Sequence, residues 1–114
     1  MPKDDTVRLR HMLDAAKETV SFVQGKQRSD LESNRMLVLS LVRLIEVIGE
    51  AASQVTTECQ QAHPEIPWPL IVSMRNRLIH AYFDIDLDRV WDTVNEDLPP
   101  LARELEKIIH KQEH

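Results

Sequence analysis

Met36-Leu37-Val38-Leu39-Ser40-Leu41-Val42-Arg43-Leu44-Ile45-Glu46-Val47-Ile48-Gly49-Glu50-Ala51-Ala52-Ser53-Gln54-Val55 is the stretch whose reading decides the fold class. Wound as a helix, it is apolar around most of its circumference, and such a helix is buried by several neighbours or by a second subunit. The exception is a stripe of Arg43, Glu46 and Glu50 at helical spacing. It reads as an internal salt-bridge ladder or as a polar strip lining a cleft. Gly49 inside the helix costs about 1 kcal/mol relative to Ala, which close approach of another backbone would explain. Upstream, Ser29-Asp30-Leu31-Glu32 has the form of a capping box. From it the reading predicts one continuous helix to about Glu58, a rod of roughly 45 Å.

On either side the chain reads as helices broken by proline. Asp4, Asp5 and Thr6 are N-cap candidates for a first helix carrying Leu9, Met12, Leu13, Ala16, Val20 and Val23, which Gly25 stops. His63-Pro64-Glu65-Ile66-Pro67-Trp68-Pro69 is a stiff connector that no helix crosses, and Pro69 suits the first turn of a helix from Leu70 to about Tyr82. The run Asp84 to Asp88 interrupts it and caps a helix through Val90, Trp91 and Val94. Pro99-Pro100 then begins a last helix with Leu101, Leu105, Ile108 and Ile109 inward. The expected architecture is a single domain over residues 1–114, an all-α up-and-down bundle of four to five helices with short loops.

Composition supports this. Two glycines and 4% aromatic residues in 114 positions are a poor supply of turn- and strand-formers. No run of about 18 apolar residues exists, so no membrane span is expected. One cysteine, Cys59, excludes an intramolecular disulfide, and Met1-Pro2-Lys3-Asp4-Asp5 opens no secretory signal, so a cytoplasmic location is expected. The five histidines are scattered, and neither a metal nor a cofactor is expected. The net charge of -5 argues against a protein that coats nucleic acid by charge alone. The excess is local, however. Residues 1–57 carry 8 basic and 8 acidic groups, residues 58–114 carry 6 and 11, and Ile66 to Phe83 holds two arginines and no acid. That distribution suits a site gripping one or two phosphates.

The chemistry is concentrated in Met74-Arg75-Asn76-Arg77-Leu78-Ile79-His80-Ala81-Tyr82. An imidazole moves protons near neutral pH, and a guanidinium holds phosphate oxygens and stabilises developing negative charge. The set therefore suits phosphodiester cleavage without a metal. Asn76 and His80 share a helix face, as do Arg75 and Tyr82. Arg75 and His80 are five apart, about 140° around a helix axis. Either the helix loosens near His80 or the site is completed across a dimer interface.

Ile48-Gly49-Glu50-Ala51, Ile66-Pro67-Trp68 and Met74 to Phe83, continued by Asp86-Leu87, Val90-Trp91 and Asp97-Leu98-Pro99, closely resemble the HepT-like members of the HEPN superfamily. The resemblance covers about Asp5 to Ile109. It implies a dimeric, metal-independent endoribonuclease toxin paired with a minimal nucleotidyltransferase as antitoxin. Arg75 and His80 match the family's catalytic pair, and Asn76 its polar residue after the Arg. Tyr82 matches the tyrosine that the partner modifies with AMP. Arg77 lies outside the core motif and is a candidate RNA contact. The competing reading is a catalytically silent helical binding partner of the nucleotidyltransferase. A purely structural coiled-coil dimer is disfavoured, because the longest apolar run lacks sustained heptads with charged flanks. Trp68 and Trp91 read as anchors at helix junctions rather than base-stacking platforms.

Overall fold

The computed structural model describes residues 2–80 and 84–113. Its elements are helices α1 (Lys3–Phe22), α2 (Asp30–Ser33), α3 (Arg35–Gln54), α4 (Thr57–Ala62) and α5 (Trp68–Val72), then a 3-10 turn (Met74–Arg77). Strands β1 (Ile79–His80) and β2 (Asp84–Ile85) follow, then α6 (Leu87–Asp92), a π-helical turn (Thr93–Asp97) and α7 (Leu98–Glu113). The fold is all-α apart from this minimal antiparallel ladder, in which Ile79 faces Ile85 and His80 faces Asp84. The long helix α1 packs against both α3 and α7, while α5 and the 3-10 turn lie on α3. The core between them buries Leu9, Met12, Leu41, Ile45, Ile48, Met74, Leu98 and Leu105 completely. The inward positions Leu101, Leu105, Ile108 and Ile109 of α7 are all buried, as the spacing predicts.

The expected 45 Å rod is broken twice. Asn34 leaves helical geometry (φ -129°, ψ 84°), and its Oδ1 accepts the Leu37 N–H at 3.0 Å, so the cap of α3 is Asn34. Ser29 makes no side-chain cap at α2, and the expected capping box is therefore not formed. At the other end Val55 and Thr56 are extended (ψ 135° and 151°), and Thr56 Oγ1 caps α4 through the Cys59 N–H at 3.2 Å. A distant residue holds this second break open. Asp5, buried in α1, accepts the Thr56 N–H at 2.9 Å and the Thr56 hydroxyl at 2.6 Å. Asp5 thus stands inside α1 rather than capping it, since the N-cap position is Pro2.

The glycines behave as the sequence implies. Gly25, just past α1, takes a left-handed φ of 72°. A Cβ on Gly49 would lie 3.1 Å from the Val72 carbonyl oxygen and 3.3 Å from that of Ile71, so α5 is seated directly on the backbone of α3. Trp68 locks the connector before it. The buried indole donates to the carbonyls of Gln60 and His63 at 3.1 and 3.0 Å, an anchor at a helix junction.

The helix expected from Leu70 to about Tyr82 ends at Val72. Ser73 Oγ donates to the Pro69 carbonyl at 2.8 Å, and Arg77 Nη2 donates to that of Leu70 at 3.3 Å. The Pro69 carbonyl still takes the Ser73 N–H at 3.2 Å as the last ladder bond, whereas Arg77 occupies the Leu70 carbonyl that would accept the next one. The chain tightens instead into i+3 bonds, Asn76 N–H to Ser73 O and Leu78 N–H to Arg75 O, both 3.0 Å. Tyr82, with Ala81 and Phe83, lies outside the described residues. Downstream, α6 and α7 are not separate helices. The Leu98 N–H bonds to Thr93 O in a single π turn, which accommodates Pro99 and Pro100, residues with no N–H of their own.

Candidate functional site

The motif is built on a change of backbone geometry. Met74 and Leu78 are fully buried and pin the 3-10 turn to the core, and between them Arg75, Asn76 and Arg77 reach the surface. Beyond Leu78 the chain is extended, so His80 projects from a strand and not from a helix. The helix does loosen before His80, and the 140° separation of a straight helix no longer applies.

His80 is exposed, and its Nε2 stands 3.2 Å from Asp86 Oδ2. The other oxygen of Asp86 accepts the Arg89 N–H at 3.0 Å and caps α6. One carboxylate therefore starts a helix and orients an imidazole. The Arg89 N–H is the main cause holding the Asp86 carboxyl below its ordinary pKa; burial opposes it, and His80 adds lesser lowering contributions by hydrogen bond and charge. The hairpin places this contact: Asp86 N–H bonds to Leu78 O at 2.7 Å, and His80 faces Asp84 across the ladder.

Arg75 is held from a different direction. Its Nε lies 3.2 Å from Glu46 Oε2 on α3, and Glu46 Oε1 is itself bound by Arg43 Nη1, which also reaches Glu50 at 3.7 Å. The stripe on α3 is thus both a ladder and a strip facing the motif. The Arg75–Glu46 contact is an ion pair and not a directed hydrogen bond, because the buried Nε–H does not point along it. No hydrogen bond or ion pair joins Arg75 to His80 among the described residues. Asn76 is exposed, with no side-chain hydrogen bond among them. Arg77 is folded back onto α5 through its bond to Leu70 O and is not freely displayed. Among the described residues no group of three or more His, Cys, Asp or Glu could hold a metal ion, and no helix is long and apolar enough to cross a membrane.

The model of the ribonuclease HepT-like family matches residues 12–108. The chain belongs to the HepT-like ribonuclease family. Relatives of similar length agree. A protein of Thermococcus cleftensis named "Probable ribonuclease HepT" is 39% identical over 79 residues, covering 69% of this chain and 72% of its own. Two Methanocaldococcus jannaschii proteins named as candidate RNases are 33% and 32% identical, over 96% and 88% of this chain and 91% and 92% of theirs. No solved structure matches this chain. The all-α HepT-like fold places two residues beside the motif whose contacts the sequence did not disclose. Asp86 reads in the sequence only as a helix cap, and its bond to His80 depends on the hairpin register. Glu46 is visible only as part of the stripe, with nothing to couple it to Arg75. Trp91 is half-buried against the core, again an anchor.

Proposed function

We propose that this HepT-like chain is a metal-independent endoribonuclease and the toxin of a pair whose antitoxin is a minimal nucleotidyltransferase, with Arg75, Asn76 and His80 forming its site. The observation that carries this reading is that the exposed His80 and the half-exposed Arg75 are each braced by a carboxylate, Asp86 and Glu46. Asp86, held below the usual carboxylate range, stays ionised near neutral pH and accepts a hydrogen bond from Nε2–H. That leaves Nδ1 of a neutral His80 as the free base. It takes the proton of a ribose 2′-OH, whose oxygen attacks the adjacent phosphorus while the P–O5′ bond breaks and the leaving 5′-oxygen takes a proton from solvent water. Arg75 stabilises the charge on the phosphorane oxygens, and Asn76 orients the phosphate.

Dimerisation is part of the reading. The chain is a slab of 43 × 30 × 19 Å, about two helices thick. Met36 and Leu39 on α3 are 80% and 48% exposed, and Leu39 shares a shallow groove with Phe22 of α1. A second copy would cover this face, as expected from the apolar circumference of α3. Neutralisation is assigned to AMP on Tyr82, two residues from His80, whose phosphodiester would add negative charge beside the motif arginines.

Matched RNA and DNA oligonucleotides incubated with the protein in EDTA test the nuclease. RNA should be cut and DNA, lacking the 2′-OH, left intact, and His80→Ala should lose at least about a hundredfold in rate. Cleavage that disappears with chelator, or survives in His80→Ala, would refute it. Complete inertness towards RNA would favour the silent binding partner.

A further inference from the structure

We infer that Glu46 is a positioning residue for the reaction: from α3 its carboxylate holds the Nε side of the Arg75 guanidinium by charge, leaving the outer edge to meet the scissile phosphate. The inference rests on the reading of Arg75 as the phosphate-holding group. Three observations carry it. Nε of Arg75 is fully shielded from solvent and lies 3.2 Å from Glu46 Oε2, whereas the side chain as a whole is 40% exposed. The exposed part is therefore the far edge of the guanidinium, the one that presents two N–H groups in parallel to a phosphate.

The carboxylate is itself immobilised. Arg43 Nη1 binds Glu46 Oε1, so the two oxygens of Glu46 serve two arginines and the carboxylate cannot swing to the outer edge of Arg75 and displace a phosphate. Finally, the platform beneath both residues is rigid. The backbone of α5 sits on Gly49 of α3, one helical turn from Glu46, and the fully buried Met74 anchors the turn carrying Arg75. A side chain with several rotatable bonds on a short 3-10 turn would otherwise sample many orientations, and misplacing a catalytic group by about 1 Å is costly in rate.

The test is steady-state cleavage of a single-site RNA oligonucleotide by wild type, Glu46→Gln, Glu46→Asp, Arg43→Ala and Arg75→Lys, and by the double variant of Glu46→Gln with Arg75→Lys. Glu46→Gln keeps the shape and removes the charge. Its kcat should fall about tenfold with KM within about twofold and an unchanged unfolding midpoint. Glu46→Asp should recover part of the rate. Arg43→Ala, which frees one oxygen of Glu46 but leaves the Arg75–Glu46 pair in place, should lower kcat by about threefold, less than Glu46→Gln. In the Arg75→Lys background, where no guanidinium Nε remains for the carboxylate to hold, Glu46→Gln should cost nothing further. A Glu46→Gln enzyme as fast as wild type, or an equal loss in both backgrounds, overturns the inference. Undiminished cleavage by Arg75→Ala would instead overturn the reading of Arg75, and the role of Glu46 with it.

Discussion

At the scale of single residues, Asp86 shows how two functions share one side chain. Its Oδ1 caps α6 and its Oδ2 meets His80, so alanine would remove both. Asparagine separates them, because it caps a helix about as well as aspartate but cannot hold an imidazole by charge. Asp86→Asn should therefore leave the thermal midpoint near that of wild type while lowering the cleavage rate, as read by calorimetry and oligonucleotide kinetics. An unchanged rate would make Asp86 a cap only. The pH dependence follows from the depressed carboxyl. Its stabilising contribution is fully present above the unfolded pKa, near 3.9, and is lost only as pH falls through the lower folded value. Cys59 illustrates the opposite case. Burial, then the nearby Asp5, raises the thiol, so it stays protonated and unreactive at neutral pH.

At the scale of elements, the decisive contact is α5 on α3. Gly49 leaves 3.1 Å to a backbone oxygen that cannot rotate away, as a flexible side chain could. Gly49→Val should push α5 outward, cost about 2 kcal/mol of stability and move the motif turn, so that activity falls further than the lost stability explains. Urea melts and kinetics on the same sample check this; a fully active variant would show that the turn is positioned independently of α5. The break between α3 and α4 has a comparable tertiary cause. Asp5 takes both the Thr56 N–H and its hydroxyl, and without it those donors would favour continuing the helix. Within the segment Thr56 is an N-cap candidate, but the contact that holds the break open comes from Asp5, 51 residues away in α1.

At the scale of the whole molecule, one chain is too thin to cover α3 on every side. Leu39→Asp should convert the dimer proposed above into a folded monomer, measured by sedimentation equilibrium with helix content followed by circular dichroism. A wild-type chain that is already monomeric would overturn the dimer. The acidic excess of residues 58–114 has a bearing on partners. A surface with few free bases suits gripping one or two phosphates rather than a long nucleic-acid track, in keeping with the function proposed above. Co-expression with the nucleotidyltransferase should add AMP-sized increments to the intact mass, absent in Tyr82→Phe. No increment would mean inhibition by binding alone.

The sequence by itself determined the all-α class, the burial of α3 and α7, the connector locked by Trp68 and the motif from Met74 to His80. These follow from apolar spacing, proline positions and local residue chemistry, which act within a few residues. Gly49 was legible as a close approach, though not what approaches it. Tertiary structure decided how the long rod is held open before α4, that the motif helix yields to a 3-10 turn and a strand, and which carboxylates brace Arg75 and His80. Those outcomes depend on Asp5 reaching Thr56, on Arg77 capturing a carbonyl of α5, and on α3 lying beside the motif. A hydrogen bond or ion pair between residues distant in the chain forms only once the core has brought them together, and so no local pattern records it.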